Sequence, residues 1–305
     1  MNLTKHLLTP LLRLTARLPF GALYVLSDIA FVLMFYVARY RRKVVINNLT
    51  ESFPELDAKS IKRIARRFFR NFADYMFETI KLLHVSDEQM SRRMTFENVE
   101  LIDRLVAEGR SIAVYFSHCG NWEWAPSITL HTKAKPDVGA VFAQVYRPLR
   151  DKAFDALMLE LRSRFGSHSY TKRNVFRDII RQRRADSLPT VVGFMSDQRP
   201  SHGDLIHVVD FLNHPTAVIT GTETLARKLD MAVIYWDMYK PSRGRYRIVC
   251  RLITDDIASR PEFSVTDEYA RMLQASIRRD PSIWLWTHKR WKIPVTFADN
   301  EQPRH

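Results

Sequence analysis

The chain has 305 residues, 46% of them hydrophobic, and contains only two cysteines. This apolar content excludes a disordered chain, and the low cysteine count excludes a disulfide-rich framework and suits a reducing compartment. With 47 lysines and arginines against 33 acidic residues, the net charge is +14, so an anionic partner is expected: nucleic acid, an acidic lipid surface or an acidic carrier protein. The basic residues flank apolar helical stretches rather than forming a polar tail, which favours a membrane surface over nucleic acid.

The first predicted element is the apolar segment 18–40, which is about long enough to cross a hydrocarbon core of roughly 30 Å. Asp28 lies near its middle, where a carboxylate in a bilayer would be costly, and basic residues on both flanks give no orientation. We predict a helix embedded in, or lying on, the cytoplasmic leaflet, with a buried core helix as the alternative. Residues 1–45 are therefore predicted to form a membrane-associating helical segment, and residues 46–305 the main domain.

The next predicted element is a long amphipathic helix. Apolar residues recur at three- and four-residue spacing from Ile61 to Ile80, with arginines and lysines between them. Pro54, in the stretch 51–56, interrupts the helical pattern and predicts a turn before this helix.

From about residue 111, short β-rich runs alternate with helical patterns. This alternation predicts an α/β fold with a largely parallel central sheet flanked by helices. The last two runs, joined by KPSRG, predict an antiparallel hairpin at an edge of the sheet. The predicted strands are 111–116, 138–146, 190–195, 207–211, 231–239 and 245–253, and the predicted helices are 149–165, 174–184 and 215–229.

A candidate catalytic pair follows the first of these strands. The apolar run ends at His118, Gly120 allows a sharp turn, and Asn121 is predicted to cap a helix that reaches Leu130. In open α/β sheets, ligands bind at the carboxyl ends of strands. Glu123, in the first turn of that helix, could bond one ring nitrogen of the histidine, fix its tautomer and raise the basicity of the other nitrogen. The pair would then suit proton abstraction from a hydroxyl, although its spacing alone is weak support.

The wider string HCGNWEW (118–124) resembles the signature of the bacterial lipid A biosynthesis acyltransferase family, part of the glycerolipid acyltransferase superfamily with its His-x4-Asp/Glu motif. The stretch FLNHPTA (211–217) departs from the Phe-Phe-Gly pattern common in that family, which leaves acceptor and chain-length preference open. Four further stretches are similar to family motifs in the same order: NNLTESFPEL (47–56), VYRPL (145–149), GFMSDQ (193–198) and WLWTHKRWK (284–292).

The resemblance implies an O-acyltransferase on the cytoplasmic face of the inner membrane. It would move an acyl chain from acyl carrier protein to a hydroxyl of lipid A or its precursor, an anionic glycolipid, and would need neither a metal nor another cofactor. Arg147 would bind a lipid phosphate or pair with a carboxylate of the site. The implied catalytic residues are His118 as general base and Glu123 as its orienter, and the implied substrate-binding residues are Arg147, Asp197, Asn121 and Gly120.

Several alternatives remain open from the sequence. The acceptor could be an aminolipid, a glycerophospholipid or a glycosylated inositol lipid, and the donor could be a coenzyme A thioester. A nonenzymatic basic protein that binds membranes or nucleic acid is the hypothesis from another class, although nucleic acid is not the predicted partner. Cys119 is disfavoured as a nucleophile because neighbours in an extended strand end point to opposite faces. The histidines His202, His207 and His214 lack a zinc-ligand pattern.

Overall fold

A computed structural model of the chain describes residues 3–201 and 207–300. Its amino-terminal part is helical, as predicted, and its second helix continues into a π-helical turn, Leu33–Val37.

The long predicted helix is confirmed: Asp57 Oδ1 accepts a capping hydrogen bond from the Ser60 amide (2.8 Å), and the apolar side of the helix is buried. The predicted boundary at residue 45 stays a prediction. The helices are α1 (Leu3–Arg17), α2 (Phe20–Val32), α3 (Arg42–Ser52), α4 (Ala58–Lys81) and α5 (Asp87–Arg93).

Seven strands form the central sheet: β1 (Met94–Glu97), β2 (Ile112–Phe116), β3 (Val141–Tyr146), β4 (His168–Thr171), β5 (Thr190–Met195), β8 (Ala232–Ser242) and β9 (Arg245–Thr254), with β6 (Val208–Phe211) and β7 (His214–Ala217) in a separate antiparallel pair. Their order is β1-β9-β8-β2-β5-β3-β4. All neighbouring pairs are parallel except β8 and β9. The predicted, largely parallel α/β fold is confirmed.

Two details of the predicted sheet are wrong. The hairpin formed by β8 and β9 is antiparallel, but β1 pairs with the outer side of β9, so the hairpin does not form the edge. The run 207–211 forms β6 outside the central sheet, where it pairs with β7. Because β7 occupies 214–217, the helix predicted over 215–229 begins only at Gly221.

Further helices cover the two faces of the sheet. The predicted helix after His118 is a 3₁₀ helix, Trp122–Leu130, that contains Pro126. Proline removes a backbone donor and clashes with a regular α-helical interior, which accounts for the tighter, irregular geometry. The remaining α-helices are α6 (Glu100–Ala107), α7 (Lys152–Ser163), α8 (Val175–Asp186), α9 (Gly221–Lys228) and α10 (Ser264–Arg279).

Candidate active site

The candidate site lies where the neighbouring parallel strands β2 and β5 end. Phe116, the last residue of β2, pairs with Met195, the last residue of β5. His118 and Asp197 each follow two residues later, so the register brings them level at the carboxyl edge of the sheet. This edge is where open α/β sheets bind ligands.

Asp197 holds the His118 ring. Its Oδ1 lies 2.7 Å from His118 Nδ1, and its Oδ2 accepts from the His118 backbone amide (3.0 Å) and from Trp284 Nε1 (2.8 Å). Burial alone would raise the pKa of Asp197, but the adjacent His118 charge and these hydrogen bonds outweigh burial and lower its pKa. An ionised Asp197 accepts a hydrogen bond from Nδ1–H, which leaves the lone pair on Nε2 to accept a proton.

The His118 ring is the more accessible member of the pair. The His118 side chain is 14% exposed, whereas that of Asp197 is 1% exposed. Gln198 Nε2 lies 3.2 Å from His118 Nε2, and the Trp122 ring packs edge-on at a centroid distance of 5.0 Å. An incoming hydroxyl would therefore take the place that the Gln198 amide now holds.

Glu123 does not contact His118, and the predicted pairing is corrected. Its carboxylate forms a bidentate ion pair with Arg162 of α7, with Nε–Oε2 at 2.8 Å and Nη2–Oε1 at 2.7 Å. Both side chains are largely buried, at 4% and 16% exposure. The physical reason is local: the 3₁₀ helix begins at Trp122 and places Glu123 against α7, so Asp197 supplies the carboxylate on the imidazole. Whether Glu123 takes part in catalysis stays a prediction.

Gly120 forms the sharp turn that its sequence position predicts. Its φ is +58°, and a Cβ there would lie 3.0 Å from Met238 Cγ and 3.1 Å from the Tyr246 ring, so a side chain would be strained and crowded. Its backbone amide donates to the Ile283 carbonyl (2.8 Å). That amide is therefore already hydrogen-bonded, and substrate binding by Gly120 stays a prediction.

Asn121 does not cap the following helix, which corrects a second prediction. Its side-chain Nδ2 instead donates to Glu78 Oε2 (3.0 Å) on α4. The same carboxylate accepts from Tyr246 (2.8 Å) and, through Oε1, from Tyr24 of α2 (3.1 Å). Burial raises the pKa of Glu78, which none of the sequence patterns singled out. This buried network ties the loop after His118 to the amino-terminal helices.

Arg147 lies apart from the carboxylates with which it could have paired. It is exposed in the loop after β3, and within the described ranges no hydrogen bond or ion pair engages its guanidinium. Glu123 is bonded to Arg162 and Asp197 to His118. Arg147 therefore pairs with neither carboxylate in this structure, and its contact with a lipid phosphate stays a prediction.

An apolar cleft lies between the sheet and the 3₁₀ helix, beside the Glu123–Arg162 pair. Its free volume is about 30 Å³, which is room for about one water molecule. A larger apolar group can enter only if lining side chains move. These side chains include Phe116, Ile128, Phe142, Ala143, Val191 and Trp236.

The other candidate residues have structural partners. Cys119 is buried, and burial raises the pKa of its thiol, which disfavours a thiolate nucleophile. His207 Nε2 lies 2.6 Å from Asp267 Oδ1, and the His214 ring stacks on Trp291 at 4.3 Å. His202 lies outside the described residues. Among residues 3–201 and 207–300, no cluster of three histidine, cysteine or acidic side chains could hold a metal ion.

Comparison with known proteins connects this geometry to a family. Residues 3–293 match the family described as "Bacterial lipid A biosynthesis acyltransferase". The chain belongs to this acyltransferase family. It is also 24% identical over 214 residues, or 69% of its length, to the "Lipid A biosynthesis acyltransferase" of Haemophilus influenzae (strain ATCC 51907 / DSM 11121 / KW20 / Rd). The match spans 64% of that relative's length.

The lipid A biosynthesis acyltransferase fold of this chain also positions residues that sequence reasoning left out of the site. Gln198 and Trp284 fall inside the stretches 193–198 and 284–292, so their proximity to His118 could have been inferred from those motifs. Arg162 and Glu78 lie outside every motif, and their roles depend on which faces of α7 and α4 turn inward. No pattern within the sequence gives that orientation.

His288, in the closing tryptophan-rich stretch, gives this family member a pH-sensitive contact. Its Nε2 accepts from the Arg199 amide (3.3 Å), two residues after Asp197. Burial and the nearby Arg290 charge lower the pKa of His288 to about 4. The folded protein therefore contains His288 in its neutral form, and protonation of this ring destabilises the folded state.

We expect this contact to make the protein less stable in mild acid. The unfolded chain, with a histidine pKa of about 6.5, takes up the proton first as pH falls, so stability is fully present above about pH 6.5 and is lost towards pH 4. The shift corresponds to at most about 3–4 kcal/mol. Urea unfolding at pH 7.5 and 4.5 should show a smaller pH dependence in His288→Gln, which keeps an acceptor but does not titrate. An unchanged pH dependence in the variant would contradict this assignment.

Proposed function

We propose that this protein is a membrane-associated O-acyltransferase that moves a fatty acyl chain from an acyl carrier protein thioester to a hydroxyl of lipid A or its precursor. The observation that carries the proposal is the His118–Asp197 pair, in which His118 Nδ1 lies 2.7 Å from Asp197 Oδ1 and the His118 side chain is 14% exposed. Family membership supports acyl transfer as the chemistry, and the name of the Haemophilus relative supports a lipid A-type acceptor.

The proposed reaction needs one base and one stabilising carboxylate. His118 Nε2 removes the proton from the acceptor hydroxyl as its oxygen attacks the thioester carbonyl. Asp197 stabilises the imidazolium that forms. The tetrahedral intermediate then collapses: the carbon–sulfur bond breaks, the ester bond stays, and the imidazolium returns its proton to the departing thiolate. The carrier thiol and the acylated lipid are the products.

Charge and shape around the pair suit both substrates. The exposed Arg147 provides a guanidinium with no partner within the described residues, which suits a lipid phosphate through bidentate hydrogen bonds. The net charge of +14 suits an acidic carrier protein and an anionic membrane. We assign the donor's acyl chain to the apolar cleft beside Glu123 and Arg162, whose lining side chains must separate to admit it. The site of action is proposed to be the cytoplasmic face of the inner membrane.

The test is acyl transfer by the purified protein in detergent. We expect transfer from a saturated acyl–acyl carrier protein to an acylated disaccharide precursor of lipid A, seen by mass spectrometry as the addition of one acyl chain. Parallel reactions replace the donor with acyl coenzyme A and the acceptor with an aminolipid, a glycerophospholipid or a glycosylated inositol lipid. Transfer to one of these acceptors without transfer to the precursor would refute the proposed acceptor, and transfer from coenzyme A alone would refute the proposed donor.

A further inference from the structure

The helix α2 and the π-helical turn after it leave a continuous apolar surface uncovered. Phe20–Val37, comprising α2 and its π-helical turn, is the one segment of the described chain that is long and apolar enough to cross a membrane. Only 22% of this segment is buried. Exposed apolar patches of this kind mark contacts with other molecules or with lipid. The outer face comprises Val25 (61% exposed), Ile29, Val32, Leu33, Tyr36 and Val37 (69% exposed).

The opposite face of α2 is fixed to the body of the protein by polar contacts. Ser27 donates to Asp74 of α4 (2.7 Å), and Asp28 forms an ion pair with Arg243 (2.9 Å) in the turn between β8 and β9. Arg70 of α4 also reaches Asp28 (3.1 Å). The Asp28 carboxylate, which would be costly inside a bilayer, is therefore paired with arginines on the side of α2 that packs against the domain.

Both ends of the segment are bonded to the same body. Before it, Lys81 Nζ donates to the carbonyls of Ala16 (2.9 Å) and Leu18 (2.8 Å). After it, Arg41 Nη1 donates to the Thr287 carbonyl (3.0 Å). Eighteen helical residues extend about 27 Å, close to the thickness of a hydrocarbon core, so a crossing would separate these ends to opposite sides of the membrane. The two sets of contacts cannot coexist with a crossing.

The basic residues around this apolar face favour an anionic lipid surface as its binding partner. Arg17 precedes the segment, and Arg39, Arg41 and Lys43 follow it, all of them exposed. Basic side chains beside an acidic leaflet contribute about 1 kcal/mol each. A second copy of this chain would bring the same cations together and would be repelled.

We propose that α2 and its π-helical turn lie in one leaflet, parallel to the membrane surface, and do not cross the bilayer. The outer apolar face enters the lipid, the inner face stays on the domain, and the basic residues at both ends contact headgroups. This rests on the proposed function in one respect, because a lipid acceptor has to be reached at the membrane. The attachment itself is measured without turnover, so the two can fail separately.

The topology test uses single cysteines on the two flanks. The native cysteines, Cys119 and Cys250, are buried and give little background labelling. The full-length variants Arg17→Cys and Lys43→Cys are treated with a membrane-impermeant maleimide in inside-out and right-side-out vesicles, with detergent-opened vesicles as the control. We expect both positions to label from the same side. Labelling from opposite sides, or protection of either position on both sides, would overturn the proposal.

The binding test uses purified protein and sedimented vesicles of phosphatidylglycerol and phosphatidylcholine. A charge on the outer face, Ile29→Asp, is expected to weaken vesicle binding by about tenfold or more. The matched control is Val138→Asp, at an apolar side chain 78% exposed in the loop before β3, which should bind as the wild type does. Equal binding by Ile29→Asp and the wild type would overturn the proposal. A wild-type dimer in light scattering that Ile29→Asp abolishes would do so too, by naming a second copy as the occupant.

Measuring both acyl transfer and vesicle binding distinguishes a failure of the proposed membrane attachment from a failure of the proposed enzymatic function. Acyl transfer in detergent without vesicle binding would refute the membrane attachment alone. Vesicle binding that depends on Ile29, without acyl transfer to any acceptor, would refute the proposed function alone.

Discussion

Replacing His118 by alanine is expected to lower the turnover of acyl transfer by about 10²- to 10⁴-fold, the contribution of a positioned general base. The loss should fall on kcat with little change in KM, because proton removal contributes in the transition state rather than in substrate binding. Turnover is measured by mass spectrometry of the acylated lipid, and folding by circular dichroism. Near-normal turnover by the folded variant would end the catalytic assignment.

Asp197→Asn tests whether Asp197, which replaces Glu123 as the carboxylate on the His118 ring, supports the same reaction. Asparagine keeps the size of the side chain but cannot stabilise an imidazolium as a carboxylate does. We expect a kcat reduced by about 10²-fold or more, smaller than that of His118→Ala. The matched control is Asp210→Asn, which removes one negative charge at an exposed position of β6. If Asp197→Asn and Asp210→Asn were equally active, Asp197 would have no part in the reaction.

Breaking the buried Glu123–Arg162 pair is expected to lower the free energy of unfolding far more than breaking an exposed ion pair does. Glu123→Gln leaves the Arg162 guanidinium, 16% exposed, without its counter-charge, and removing one partner of a buried ion pair costs about 3–5 kcal/mol. The double variant Glu123→Gln/Arg162→Met should recover most of that stability, because no buried charge is left unpaired. Chemical denaturation of the single and double variants measures both effects.

An exposed ion pair supplies the control for this comparison. Arg104 of α6 and Glu108, the residue that follows this helix, lie 3.1 Å apart with about half of each side chain exposed. Glu108→Gln should cost less than about 1 kcal/mol. A similar cost at both sites would contradict the importance of burial at Glu123. Turnover of the folded double variant then decides the remaining prediction for Glu123: recovered activity indicates a positioning role, and lost activity indicates that Glu123 contacts the reacting groups.

The sequence predicts the layout of this fold where the strands are apolar runs. β2 and β5 lie where the runs 111–116 and 190–195 place them, and the strand-end positions of His118 and Asp197 follow from those runs. β1 and β4 were missed because MTFE and HSYT are four-residue strands without an apolar run. Such edge strands are specified by pairing with β9 and β3 rather than by their own pattern.

The sequence does not predict which carboxylate reaches His118. Glu123 is five residues away along the chain and Asp197 is 79, yet the register between β2 and β5 makes the distant residue the neighbour. Strand order and register depend on packing between elements, which a single sequence does not display. The same holds for Asn121, whose partner Glu78 lies on a helix 43 residues earlier.

The closing tryptophan-rich stretch has a genetic consequence. Trp284 holds Asp197, the Thr287 carbonyl holds Arg41, and Arg290 reaches the Ala217 carbonyl. This short segment thus connects the His118–Asp197 pair, the amino-terminal helices and the β6–β7 hairpin. A stop codon just before position 284 would remove under a tenth of the polypeptide and still behave as a null allele.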